Sequence, residues 1–81
     1  MIDVKEAVQI AKQKAAEMLG ENGSLEEIER DRYQGHEVWS ITLGFSPKFV
    51  GFSALPRYKR FLIDAETREL VAMKLRELAS Q

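Results

Sequence analysis

The chain has one histidine, His36, in the turn-forming run Tyr33-Gln34-Gly35-His36 beside Glu37. One turn histidine next to one carboxylate is too few ligands for a metal centre, so His36 is read as structural. Nucleophilic catalysis needs a hydroxyl with a base at hand. Ser40, Ser46 and Ser53 have no histidine at a spacing that would activate them. Asp64 and Glu66 are the available carboxylate pair, but Asp64 opens a turn and is better used accepting bonds from the amides that follow it. Gly44 and Gly51 lack the strand-to-helix context of a phosphate loop. No cysteine is present, which excludes a disulfide framework and a thiolate metal site. The expectation is a protein that is not an enzyme and that uses no metal or cofactor.

What remains is binding chemistry. Gly44 to Pro56, GFSPKFVGFSALP, carries Phe45, Phe49, Val50, Phe52 and Leu55 among two prolines and two glycines. Its turn-forming residues predict a long, largely irregular loop. Full burial of one such apolar side chain is worth about 1.5–3 kcal/mol, so a small domain gains by covering them. Three fates are open: folding back over the sheet, burial in a homodimer, or docking on another protein. In the last, Phe49, Val50 and Phe52 form the contact, with Lys48 and Arg57 as a polar rim. The run from Lys48 to Phe61 also interleaves basic and aromatic residues, as single-strand nucleic-acid binders do. Nucleic acid is therefore the alternative partner, with Lys48, Arg57, Lys59 and Arg60 as phosphate contacts.

The elements that must hold this stretch are legible. Asp3 with Glu6 three residues on reads as a capping box. Val4, Ala7, Val8, Ala11, Ala15, Met18 and Leu19 then form one apolar helical stripe, and Gly20 stops it. Ile10 lies off that stripe and is expected to be exposed. Ser24 to Arg30 suits an edge strand better than a helical turn, because a hairpin signal follows. Glu37 to Leu43 alternates clearly, with Trp39, Ile41 and Leu43 on one face. Tyr58 to Ile63 is a second apolar alternation, and Asp64 to Arg68 turns it back. Leu70 to Leu75 then resumes as a strand, against a rival helical reading. Trp39, Ile41, Phe61, Ile63, Val71 and Met73 are the expected core. Val38 and Leu62 fall on the other face, which implies some cover there, by the loop or by a second subunit.

The run Phe61-Leu62-Ile63-Asp64-Ala65-Glu66-Thr67-Arg68-Glu69-Leu70-Val71 resembles the terminal hairpin of PepSY domains, and the likeness covers residues 57–77. That family typically ends in aromatic or branched residues followed by Asp-Ala-x-Thr-Gly-Glu-Val. Arg68 stands where the family usually has glycine. If the turn keeps the family geometry, Arg68 is left-handed, at a cost of roughly 1 kcal/mol. The resemblance implies a module that restrains or regulates a partner protein, in the family's case often a peptidase.

Size and charge agree with a binding module. Eighty-one residues make one domain, 1–81, and bury about 60–65% of their unfolded surface, too little for a deep enclosed cleft. An apolar content of 44% suits a folded globule. The net charge of −1 argues against a general nucleic-acid binder, yet it is unevenly spread. Residues 1–44 have five basic and nine acidic side chains, and residues 45–81 have seven basic and four acidic. Met1 to Glu6 lacks the apolar core of a signal peptide, and no run approaches a membrane span. A cytoplasmic protein or an excised domain is expected. The expected architecture is α+β: one N-terminal helix on a four-stranded antiparallel sheet, in chain order α-β-β-β-β.

Overall fold

The computed structural model describes residues 1–51 and 53–75, and the side chains of residues 48–50, 53–56 and 75 lie outside that description. Helix α1 spans Val4–Leu19, and strands β1 (Ser24–Tyr33), β2 (His36–Val50), β3 (Ser53–Asp64) and β4 (Leu70–Leu75) follow. They form one antiparallel sheet in the order β1-β2-β3-β4. The α+β arrangement in the order α-β-β-β-β is the one the apolar periodicities predict.

Asp3 caps α1 by accepting the Glu6 amide at 2.8 Å, and Gly20 ends it at φ 68 with its N–H on the Ala16 carbonyl. The capping box is only half formed. The Glu6 carboxylate, which a full box would return to Asp3, is held by Arg68 Nε at 2.9 Å. Ala7, Ala11 and Ala15 are the fully buried ridge of α1. With so little side chain between helix and sheet, both flanks reach the core. Val8 packs there on one side, and so does Ile10, which the stripe alone would leave in solvent. Val4 and Met18, at the two ends, are exposed.

The sheet lays Ile41, Leu43, Phe45, Phe61 and Ile63 beneath the alanines, with Ile2 closing one end. Trp39 and Met73 pack at the margin. Val71 does not join them. The β3–β4 register shifts between Leu62 and Ile63, so that Ile63 faces Leu70 and Leu62 faces Ala72. Val71 is the extra residue of that bulge and is exposed, and Leu70 takes its place against the core.

The helical rival for residues 24–30 is excluded, because Ser24–Tyr33 is strand throughout. Gln34 and Gly35, both at positive φ, form the two-residue turn into β2, whose twist suits a hairpin.

The largest departure from expectation is the stretch read as a loop. β2 continues to Val50 and β3 begins at Ser53, so the expected loop is a β-arm turning at Gly51. The ladder is interrupted between the Phe45↔Arg57 and Lys48↔Leu55 pairs. Pro47 and Pro56 both fall inside that interruption, where neither needs to donate a ladder bond. The prolines mark an irregularity in a hairpin, not the end of one. The body and arm together measure 45 × 28 × 17 Å.

On the face away from the helix, Val38 and Leu62 are buried as their apolar character requires. Lys74 on β4 reaches Tyr33 on β1, with its Nζ 4.9 Å from the ring centroid. These are the two edge strands, so the contact passes over β2 and β3. The cover anticipated there comes from the chain's own edge strands.

Candidate functional site

The turn at Asp64 is built for rigidity. Asp64 is buried, and its Oδ1 accepts the amides of Glu66 at 2.7 Å and Thr67 at 2.9 Å. These two bonds, Thr67's first, hold its carboxyl below the ordinary aspartate range against the opposing effect of burial, and His36 adds a smaller lowering. Nδ1 of His36 stands 3.4 Å from the other carboxylate oxygen. The Asp64 carbonyl accepts from Arg68, and its amide donates to Glu69. One oxygen of this carboxylate thus serves the turn's own amides, as its place in the sequence suggests, and the other faces His36. Glu66 is exposed and Ser40 is buried, while His36 meets Asp64 and not a serine. Among the described residues, no group of three or more acidic or histidine side chains is placed to hold a metal ion.

Arg68 is left-handed, at φ 70. Nearby, Ala65 is buried, donating to the Glu37 carbonyl and accepting from Ile2. Trp39 Nε1 donates to the Ile2 carbonyl at 3.2 Å. The N-terminus, the turn and the centre of the sheet are thus tied at one point.

The opposite end of the β2–β3 ladder is held differently. β1 pairs with β2 only as far as Ser24↔Gly44, and past that point β2 is paired only with β3 among the described residues. Arg57, expected at a polar rim, is a clamp at the base of the arm. Its two Nη atoms donate to the Glu21 carboxylate at 2.8 and 2.5 Å, and Nη1 also reaches the Ser46 carbonyl at 3.2 Å. The guanidinium lies 5.9 Å from the Phe45 ring centroid. The Arg57 hydrogen bonds are the main reason the Glu21 carboxyl is lowered, and the same bonds raise Arg57. Phe45 is claimed by the core, as strand alternation suggests. Between the clamp and the start of β1 lies an open hollow of about 470 Å³, lined by Asn22, Ser24, Glu26, Phe45, Pro47, Arg57 and Tyr58 among others.

Lys48, Phe49 and Val50 lie on the β2 side of the arm by backbone position, and their side chains lie outside the described residues. Phe52 lies outside them altogether. Of the five residues expected to contact a protein partner, Arg57 is therefore the one whose surroundings are visible. Glu21 carries no local signal in the sequence, because its partner is 36 residues away.

No family model matches the chain, and no curated protein or solved structure matches it either. No helix among the described residues is long and apolar enough to cross a membrane.

Proposed function

We propose that the chain is a non-catalytic protein-binding module of the regulatory kind that PepSY domains exemplify. It engages a partner protein through Lys48, Phe49, Val50 and Phe52, with Arg57 anchoring the base. The observation that carries this reading is the arm itself. β2 and β3 run on past the start of β1, so the most apolar irregular-looking stretch of the sequence belongs to a two-stranded extension of the sheet. The left-handed Arg68 in the terminal turn supports the PepSY likeness. The nucleic-acid alternative is weakened, because Arg57, one of its four cations, is neutralised by Glu21.

The test is the double change Phe49→Ser with Phe52→Ser, assayed by co-purification from the native cell. The expected outcome is unchanged mass and melting temperature with loss of a protein that accompanies the wild type. A large fall in melting temperature would assign those side chains to the chain's own core. A change from dimer to monomer would assign them to self-association. Either result, or retention of every partner, removes the reading.

A further inference from the structure

The notch where β1 stops and β2 runs on holds a carboxylate that the Arg57 clamp does not use. Glu26 is the extra residue of the bulge in β1, between the Leu25↔Leu43 and Glu27↔Thr42 pairs. Such bulges re-aim a side chain. Here the Glu26 carboxylate lies across Gly44 of β2: a Cβ on residue 44 would stand 2.9 Å from Oε2 and 3.1 Å from Cγ. The carboxylate fits there because Gly44 has no side chain. It lines the open hollow of about 470 Å³ together with Asn22, Ser24, Ser46, Pro47 and Tyr58. It meets no base among the described residues. Arg57 lines the same hollow, but both its Nη atoms are held by Glu21, and one also by the Ser46 carbonyl. Lys59 acts on Glu21 as well, from outside the lining. The charge left uncompensated in the hollow is therefore the negative one of Glu26.

The chain shows twice what suits such a carboxylate. Arg57 meets the Glu21 carboxylate and stands 5.9 Å from the Phe45 ring centroid. Arg30 meets the Glu37 carboxylate and stands 4.8 Å from the Trp39 ring centroid. A guanidinium is planar, donates as a fork and is weakly hydrated, so it can serve a carboxylate and an aromatic face together. Glu26 and Tyr58 offer the same two groups in the hollow without an arginine of this chain. We propose that the hollow receives an arginine side chain of the partner protein, its guanidinium donating to Glu26 and lying against the Tyr58 ring. Asn22, Ser24 and Ser46 supply further acceptors around it. The proposal rests on the reading of the arm as a contact segment only for the source of that arginine: the notch lies at the base of the arm, so a protein that grips the arm passes over it. An open hollow also suits a side chain carried in on an approaching surface better than an enclosed small molecule. One exposed ion pair and one ring contact are each weak, so the arginine adds selectivity to a contact whose apolar part is the arm.

The test titrates the isotopically labelled full chain with Nα-acetyl-arginine amide at low ionic strength and follows its amide NMR signals. Saturable shifts should appear at Ser24, Glu26, Gly44 and Tyr58, with a Kd on the order of 10 mM. Nα-acetyl-citrulline amide, of the same shape but without the charge, should shift none of them. Glu26→Gln should weaken the arginine probe by about fivefold with circular dichroism unchanged. Gly44→Ala should do the same, because its Cβ displaces the Glu26 carboxylate. Glu29→Gln, at an exposed position of the same strand, should change nothing. The arm variant Phe49→Ser with Phe52→Ser should still bind the probe, so a failure of the arm and a failure of the hollow are told apart. Four results would overturn the proposal: no saturable shift, equal shifts from the citrulline probe, equal or tighter binding of Nα-acetyl-lysine amide, or unchanged binding in Glu26→Gln.

Discussion

The two ends of the β2–β3 ladder are held by different means. At the Asp64 end, a buried carboxylate, a buried alanine, the segment before α1 and the Trp39 indole are bound together by hydrogen bonds to backbone. At the Gly51 end, the strands outrun both β1 and the helix, and one part-exposed ion pair, Glu21–Arg57, braces the departure. Local stability follows burial and hydrogen-bond density, so the first end should open only with the whole domain and the second far more readily. A module that keeps its fold while presenting an adaptable contact segment needs both.

The sharpest way to break the contrast is at Asp64. Asp64→Ala leaves the Glu66 and Thr67 amides without their acceptor and should lower the melting temperature more than a change at Glu21 or Arg68. The pH dependence follows from the lowered carboxyl. Its contribution is complete above the ordinary aspartate value of 3.8 and is lost as pH falls through the lower folded value. The difference in stability between wild type and Asp64→Ala should therefore be constant near neutrality and shrink only in that acid window. Thermal melts from pH 7 down to about 2 would check it. A gap that persists unchanged to the acid limit would mean the carboxylate's charge is irrelevant to the turn.

A smaller, local effect is expected at the other end. Glu21→Gln removes the charge from the clamp. It should raise hydrogen exchange in the arm, residues 45–51, while leaving the amides of Ile41, Phe61 and Ile63 as protected as before. The Glu21 carboxyl is lowered too, so the wild-type clamp is complete above the ordinary value of 4.5 and is released as pH falls through the lower folded one. If core and arm exchange rise together, the two ends are one cooperative unit and the contrast fails.

How much of the fold and the arm is legible in the sequence depends on the range of the interaction. Period-two runs such as Val38 to Leu43 and Tyr58 to Ile63 record which side chains turn towards the helix, so the strands and most of the helix-side core follow from them, although the residues between are buried as well. Alternation carried unbroken across a bulge places Val71 in the core, and one extra residue exchanges which side chains face inward. Pro47 and Pro56, taken one at a time as breakers, make the arm look like a loop. Only the register shows both lying in the same interruption. Ile10 looks exposed when a helical stripe is judged by angle alone, whereas alanine at its centre lowers the helix until its flanks touch. Of the expected contact residues, Arg57 is recognisable as basic. Its engagement with Glu21 is a tertiary pairing that no local pattern encodes.

The finest adjustment concerns Arg68, where two effects of similar size oppose each other. Its left-handed backbone, φ 70, costs roughly 1 kcal/mol that glycine would avoid. Against that, glycine enlarges the unfolded ensemble by about 0.4–1 kcal/mol. Glycine also surrenders the ion pair from Nε to Glu6, which is worth about 0.2–1 kcal/mol at an exposed site. In wild type the Arg68→Gly change should therefore fall between a gain of about 0.4 and a loss of about 1 kcal/mol. In a Glu6→Gln background the ion pair is already weakened, so the same change should be more favourable by up to about 1 kcal/mol. Chemical denaturation of the four proteins in this double-mutant cycle measures the difference directly. Equal effects in both backgrounds would show that the Arg68–Glu6 contact contributes nothing, and a stabilisation of about 1 kcal/mol already in wild type would show strain as the governing term. A strong loss in both would mean that Arg68 is held by more than Glu6 and its own backbone.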